Sequence, residues 1–362
     1  MTAAQKDAWY MKRALQLARK GTGQVSPNPL VGAVLVRGGK VIASGFHRRF
    51  GGDHAEVDAI RRAKGSVRNA TLYVTLEPCC HWGKTPPCVD ALIEAGIKRV
   101  VIATLDPHPP VDGKGAQRLR DHGIEVVVGV LEEEAQRLNE TYFYHIRTGL
   151  PFITVKYAQS LDGRIATATG VSRWISSVAA QEFAHRLRTE HDAIMVGIGT
   201  ILVDDPQLTV RLVEGRNPLR ICLDSRLRIP LNARLLQGSG RTFIVTTEGN
   251  AQDKITALQG KGGEVLIAQR GLDERVDLRY LLRNLGEMGI ASILVEGGKG
   301  VITSLLRSGL VNRMVVITAP MIMGEGIEAI GDLGIKDLAG AIRFSSREVT
   351  EIGEDVVFDL RI

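Results

Sequence analysis

No stretch of about eighteen consecutive apolar residues occurs in this chain of 362 residues, so no segment reads as a membrane-spanning helix. The opening residues, MTAAQKDAWYMKRALQLARKG, carry charges throughout and lack the apolar run of a secretory signal. Cysteine is scarce, with four in all, which excludes a disulfide-stapled scaffold. Lys/Arg runs, basic-aromatic stripes, internal repeats and low-complexity tracts are missing as well, so the sequence lacks the usual marks of a nucleic-acid surface and of a disordered tail. A cytoplasmic protein with neither a membrane nor a nucleic-acid partner is expected.

What is present is ordinary for a folded chain, with 44% hydrophobic and 24% charged residues. The length favours two domains over one. The net charge of +6 sits in the first part: residues 1–148 hold 21 Lys+Arg against 15 Asp+Glu, and the remainder is balanced. Without a basic stripe, that excess suits an anionic small molecule.

Strands and helices alternate along the first part. A helix is expected over 5–20, with Ala8, Met11, Leu15 and Ala18 on one face. LVGAVLVRGGKVIASGF reads as a hairpin turning on Gly38-Gly39. Helices follow from about His54 to Lys64, Pro87 to Ala95 and 114–122, with strands at 70–76, 99–104 and 124–130. One charged helix over 131–147 leads to RTGLPF, where Gly149 and Pro151 break the chain, giving domains of 1–148 and 149–362. The second part restarts with the strand FITVKYA, a helix at 178–189 and strands near 193–197, 219–223 and 242–246. ASILVEGG, GKGVITSLLRSG and RMVVITAP then read as strand, glycine loop opening a helix, and strand. Such alternation predicts α/β layers with helices on both sheet faces.

Three of the cysteines, Cys79, Cys80 and Cys88, fall within ten residues. Clustered thiols in a reducing compartment point to a metal. In GGDHAEVDAI, His54 and Glu56 stand two apart at a helix start, a spacing that lets both reach a point off the helix tip. Cys79 follows Pro78 at a strand end, and Cys88 follows Pro86-Pro87 at a helix start, where the dipole favours a thiolate. His54, Cys79 and Cys88 make three N/S ligands, the catalytic zinc pattern with a fourth position open. Glu56, beside the metal without binding it, would then shuttle a proton from water to a leaving amine. His-x-Glu followed by Pro-Cys and a later Cys is the signature of zinc deaminases of nucleosides and nucleobases. The usual motif has two residues between the cysteines; here there are eight. Cys80 could replace Cys79 as ligand, and His81 is a weaker competitor.

SPNPLVGAV, GFHRRFGGDHAE and TLEPCCHWGKTPPCVDAL resemble the deaminase domain of the bifunctional deaminase-reductase family of riboflavin biosynthesis, in which the long inter-cysteine gap is usual. QSLDGRIA, SRWISS, GIGTILVDDPQLTVR, LDSRLRIP and VEGGKGV extend the resemblance over nearly the whole chain. It implies an N-terminal cytidine-deaminase-like three-layer α/β/α domain followed by a dihydrofolate-reductase-like α/β domain. The first would hydrolyse the exocyclic amino group of a diaminopyrimidinone carrying ribose 5-phosphate, with one zinc per chain. Asn28, His47 and Lys84 match positions that hold this substrate. The second would use NADPH to reduce the ribosylamino group to ribitylamino, with hydride delivered to the opened sugar's C1.

GIGTIL lacks the last glycine of a dinucleotide fingerprint, and no acidic residue follows at the required spacing, which argues against a Rossmann site. VEGGKGVITSLL instead places Gly297, Gly298 and Gly300 between a strand and a helix, where backbone N–H groups can cradle a phosphate. By resemblance, Ala158, Trp174, Thr200, Asp204, Ser225 and the run Gly298, Lys299, Gly300, Val301, Ile302, Thr303 and Ser304 lie along the cofactor. Ser172, Arg188, Leu208, Arg211 and Glu296 line the pyrimidine ribose phosphate pocket. Lys156 and Asp204 are candidates for moving protons. A homo-oligomer is expected on the same ground.

Two other readings compete. A zinc deaminase of nucleic-acid bases would use the second part as a binding module. A zinc-stabilised scaffold without catalysis would need a fourth protein ligand, Cys80 or His81.

Overall fold

The computed structural model describes residues 1–83 and 85–362; Lys84, singled out above for the substrate, lies outside them. The chain divides into two compact units, Met1–Gly149 and Leu150–Ile362. Gly149 closes the last helix of the first unit with φ of 71°, a left-handed cap that glycine adopts without steric cost. Among the described residues no helix is long and apolar enough to cross a membrane.

The first unit runs α1 (Ala3–Ala18), β1 (Gly32–Arg37), β2 (Lys40–Phe46), α2 (Ala55–Arg62), β3 (Thr71–Leu76), α3 (Cys88–Glu94), β4 (Arg99–Thr104), α4 (Lys114–Asp121), β5 (Glu125–Val128), α5 (Glu132–Leu138) and α6 (Glu140–Thr148). Its sheet has the order β2-β1-β3-β4-β5, antiparallel around β1 and parallel from β3 onward. The expected hairpin is there, with Gly38 and Gly39 at φ of 58° and 74°. Side chains alternate between two cores. Leu35, Leu72, Val74 and Ile102 meet Ala59, Leu92 and Leu119 of the helices α2, α3 and α4. Val34, Tyr73 and Val101 meet Met11, Ala14 and Ala135 of α1 and α5 on the opposite face. The sheet is therefore covered on both sides.

The expected single helix over 131–147 is two helices, α5 and α6, broken at Asn139. The Asn139 side chain accepts from the Leu30 N–H at 2.7 Å and donates to the Leu30 carbonyl at 2.9 Å, with the Asn139 backbone at φ of −109°. A long-range amide clamp thus overrides a helical pattern, and it fixes the segment that carries Asn28.

The second unit runs β6 (Phe152–Ser160), β7 (Arg164–Thr167), α7 (Val178–Glu190), β8 (Ala193–Gly197), α8 (Ile198–Asp204), β9 (Leu219–Leu223), β10 (Thr242–Thr246), α9 (Gln252–Gln259), β11 (Glu264–Ile267), α10 (Leu278–Glu287), β12 (Ser292–Val295), α11 (Lys299–Arg307), β13 (Arg313–Ala319), β14 (Gly326–Glu328), β15 (Ser346–Ile352) and β16 (Asp355–Arg361). Its large sheet has the order β11-β10-β9-β8-β12-β6-β13-β16-β15, parallel from β11 to β13 and antiparallel at the last two strands; β7 and β14 pair apart from it. The chain leaves β8 for β9 on one side and leaves the adjacent β12 for β13 on the other, crossing β6, so the connections after β8 and β12 run in opposite directions. In open parallel sheets such a switch point opens a crevice beyond the carboxyl ends of the strands.

Candidate active sites

In the first unit, α2 is pressed onto β2 because Gly45 has no side chain: a Cβ there would stand 2.4 Å from the Ala59 nitrogen and 2.6 Å from the Ala55 carbonyl oxygen. His54 is the N-cap of α2, and its ring makes no capping bond to the helix. It points instead toward two sulfurs, with Nδ1 3.2 Å from Cys88 Sγ and 3.5 Å from Cys79 Sγ. The other ring nitrogen, Nε2, lies 3.4 Å from the Thr85 hydroxyl. That contact suits the tautomer with the proton on Nε2 and the Nδ1 lone pair free for a metal. Glu56, two residues on, is only 3% exposed. Burial pushes its carboxyl up to about 7, where it can both give and take a proton near neutrality.

The cysteines are fixed by the end of β3 together with α3 and α4, on the same sheet face as α2. Glu77 at the end of β3 is buried and accepts the N–H groups of Asp106, Gly113 and Ala116 at 3.2, 2.9 and 2.9 Å. Gly115 admits the Pro78 carbonyl, which a Cβ would meet at 2.1 Å. Cys88 is the first residue of α3, and its N–H reaches Cys79 Sγ at 3.3 Å. Hydrogen bonding from the Cys88 thiol holds Cys79 below the usual thiol range, while the same bond pushes Cys88 up.

The three ligand atoms lie within 4.8 Å of one another. Zinc at about 2.0–2.1 Å from nitrogen and 2.3 Å from sulfur needs roughly 3.5 Å between such donors, which the two N···S distances meet. One imidazole and two sulfurs also match zinc chemically. Neither Cys80 nor His81 belongs to this group. The Cys80 thiol turns to the Pro110 carbonyl at 3.6 Å, and the His81 Nδ1 is buried without a partner among the described residues. Three donors from described residues fit an open catalytic site better than a closed structural one.

A cavity of about 350 Å³ opens on this group and is lined by Asn28, His47, His54, Glu56 and Cys79. His47 Nδ1 stands 2.9 Å from the Asp53 carbonyl, and its Nε2 lies 3.1 Å from Asn28 Nδ2. Burial holds His47 below its ordinary range, so the ring is neutral and its Nε2 receives the Asn28 amide. The sequence reading missed Thr85, Asp106, His108 and Tyr142, which line the same cavity. The Tyr142 hydroxyl and the His108 N–H both reach Asp106 Oδ1 at 2.9 Å. The Asp-Pro-His run at 106–108 was the available signal.

The second unit holds a cleft of about 1300 Å³ at the carboxyl ends of β6, β8, β9 and β12. Ala158, Ser172, Thr200, Asp204, Ser225, Glu296, Gly298, Lys299, Gly300, Val301 and Ser304 all line it, as does Lys156. The glycine loop ends in Gly298, the N-cap of α11. The Gly298 N–H goes to the Thr200 hydroxyl at 3.2 Å, while Lys299 and Gly300 present first-turn N–H groups of the kind a phosphate takes. Gly197 lets α11 approach, since a Cβ there would meet Val301 Cγ2 at 2.8 Å. These features fit a nicotinamide dinucleotide.

Other expected residues stand apart from the cleft lining. Ile302 and Thr303 face inward on α11, and the Thr303 hydroxyl bonds the Lys299 carbonyl at 2.6 Å and the Gly331 N–H at 2.7 Å. Trp174 is 71% exposed, and Leu208 is packed in the core with φ of 56°. Arg188 reaches the cleft through Glu296, which it grips with two bonds of 2.7 and 2.8 Å. Burial alone would raise Glu296, but the Arg188 guanidinium overrides it and holds the carboxyl near about 2. Arg211 lies beyond them and bonds the Thr209 hydroxyl at 2.9 Å. Five arginines that the sequence reading passed over, Arg226, Arg228, Arg275, Arg279 and Arg307, also line the cleft.

Residues 4–104 match the cytidine and deoxycytidylate deaminase zinc-binding region, and residues 151–358 match the RibD C-terminal domain. The riboflavin biosynthesis protein RibD of Aquifex aeolicus is 48% identical over 352 residues, 97% of each chain. Among solved structures, the diaminohydroxyphosphoribosylaminopyrimidine deaminase/5-amino-6-(5-phosphoribosylamino)uracil reductase of Thermotoga maritima is 39% identical, with a TM-score of 0.87 and 99% of both chains covered. Acinetobacter baumannii RibD superposes with a TM-score of 0.89 at 36% identity, again over 99% of both chains. A cytidine-deaminase-like α/β/α unit precedes a dihydrofolate-reductase-like one, and the chain belongs to the RibD family of riboflavin biosynthesis proteins.

Proposed function

We propose that the two activities of this bifunctional deaminase and reductase are divided between residues 1–148 and 149–362 and carried by the residues placed above. The substrate of the first is a diaminopyrimidinone bearing ribose 5-phosphate, and its deaminated product is the substrate of the second. The observation that carries this reading is the convergence of His54, Cys79 and Cys88 beside buried Glu56 at one cavity.

His54 Nδ1 and the sulfurs of Cys79 and Cys88 would hold zinc. When bound, zinc supplies a Lewis acid that makes water nucleophilic near neutral pH. The Glu56 carboxylate takes the proton from the attacking water and passes it to the departing amino group, so ammonia leaves and a ring carbonyl remains. Asn28, oriented by His47, offers its amide to the pyrimidine edge. Lys84 is assigned to the substrate as well.

In the reductase, Gly298, Lys299, Gly300, Val301 and Ser304 with Ala158, Thr200, Asp204 and Ser225 would hold NADPH, which when bound supplies the hydride. Ser172 and Glu296, with Arg188 bonded behind Glu296 and Arg211 beside them, would form the pocket for the phosphorylated sugar, and Leu208 would support it from the core. Opening the ribose ring moves the amine proton to the ring oxygen and leaves a C=N bond at C1; hydride adds to that carbon while the nitrogen gains a proton. Lys156, whose pKa burial lowers, stands in the cleft as the donor for that proton, with Asp204 on the same lining. Cytoplasmic location and a homo-oligomeric assembly complete the reading, the latter checked by sedimentation of the purified protein.

The test is to supply the diaminopyrimidinone phosphate with and without NADPH, measuring ammonia and cofactor consumption separately. Ammonia release independent of NADPH, followed by oxidation of one NADPH per ammonia, is expected. NADPH oxidation with no ammonia released would overturn the assignment.

A further inference from the structure

His185 is one of two buried imidazoles of the second unit, with His191, that the scheme above leaves without a task. It sits on α7 one turn before Arg188, so both face the segment Thr209–Leu212. Its Nδ1 receives the N–H of Arg211 at 2.9 Å and that of Leu212 at 3.4 Å. Arg188 Nη1 donates to the Thr209 carbonyl at 2.9 Å, and the Val210 N–H goes to Asn217 Oδ1 at 2.7 Å. Four consecutive residues are thus held by their backbones, immediately after Leu208 in its left-handed conformation.

A nitrogen that accepts two N–H groups carries no proton, so the ring is neutral with its hydrogen on Nε2. Burial drives His185 in the same direction, as do the cations facing it: Arg188 on its own helix, Arg211 on the held segment and Lys156 on β6, with Glu296 at the end of β12 acting against them.

We infer that His185 is a positioning residue of the reductase, a neutral acceptor that fixes the Arg211 backbone and so aims the Arg211 guanidinium at the phosphorylated sugar. The inference rests on the reading of Arg211 as a substrate residue. It assigns His185 a part in substrate affinity and none in hydride transfer or cofactor binding.

The experiment uses the full chain with the deaminated pyrimidine ribose phosphate and NADPH. His185→Leu leaves two N–H groups unpaired, so the KM for the sugar phosphate should rise about 10-fold to 100-fold. Both kcat and the NADPH dissociation constant should stay at their wild-type values. His185→Asn places a carbonyl oxygen near the Nδ1 position and should restore the KM. A folded His185→Leu enzyme with unchanged KM would overturn the inference, and so would a parallel loss of kcat and NADPH affinity, which marks a general structural defect. Should that variant fail to fold, His185→Gln carries the acceptor one methylene further out. A KM above that of His185→Asn supports the inference, and equal values overturn it. Arg211→Ala separates the two layers: an unchanged KM removes the reading of Arg211 and the inference with it, whereas a raised KM with silent His185 variants removes the inference alone.

Discussion

The backbone N–H of Cys88 points at the sulfur of Cys79 across 3.3 Å, so the first residue of α3 polarises the thiolate nine positions before it. Both sulfurs lie beside the same nitrogen of His54, whereas Cys80 turns away toward Pro110. Cys79→Ser and Cys88→Ser should each purify with well under one zinc per chain and lose ammonia release. Both should keep NADPH oxidation on the deaminated substrate. Cys80→Ser should retain the metal and both activities. Metal analysis with the two separate assays checks this, and loss of zinc from the Cys80 variant would point to the scaffold reading instead.

Glu56 combines near-complete burial with a position two residues from His54, and in the proposed scheme it carries the proton that the leaving amine needs. Glu56→Gln keeps the shape and removes the base. Deamination should fall by about 10²–10⁴-fold, the usual worth of a positioned general base, while zinc content stays at one per chain. Ammonia release within a few-fold of wild type would assign the proton transfers elsewhere.

The parts of the fold and site that were legible are those where local chemistry and tertiary structure agree. Gly38-Gly39 specifies its hairpin by backbone conformation alone, and His-x-Glu with Pro-Cys and Cys specifies a metal because few other arrangements use those groups together. Asn139 was illegible: helical periodicity continues through it, and only Leu30, 109 residues earlier, explains the break. The hairpin of β15 and β16 went unread for a different reason. The β15 strand is exposed along nearly its whole length, so no alternation of polar and apolar residues marks it. Helix α10 was readable in principle, since Leu278, Leu281, Leu282 and Leu285 recur at helical spacing. The five arginines of the cleft are drawn from separate segments, and no sequence pattern unites them. The roles given to Trp174, Leu208, Ile302 and Thr303 came from resemblance, and none of them is found lining the cleft.

Gly115 tests how far the proposed metal ligands depend on helix packing. A Cβ at this position would stand 2.1 Å from the Pro78 carbonyl oxygen and 3.2 Å from Glu77 Oε1, so α4 or the Pro78-Cys79 segment must move. Overpacking of this kind costs about 1–3 kcal/mol. Gly115→Ala should lower the Tm of the first unit and release zinc to a chelator faster than wild type. A variant with Tm and zinc retention both unchanged would show that the strand end tolerates the shift.

His191 sets an acid limit on the second unit. Its Nδ1 faces the Leu187 carbonyl at 2.7 Å and its Nε2 faces the Thr154 hydroxyl at 2.9 Å, an arrangement that satisfies the neutral ring. Burial holds its pKa down to about 4, against about 6.5 in an unfolded chain. Between those values the unfolded state binds a proton that the folded state refuses, so stability is full above about 6.5 and falls as the pH drops toward 4. The loss reaches ~2 kcal/mol at pH 5 and ~3 kcal/mol at the lower limit. His191→Gln, which does not titrate, should remove that part of the pH dependence. Thermal unfolding of the full chain at pH 7 and pH 5 compares the two proteins, and a smaller drop in Tm for the variant is expected. Equal drops would mean that His191 keeps its proton on folding, with the Thr154 oxygen as the acceptor.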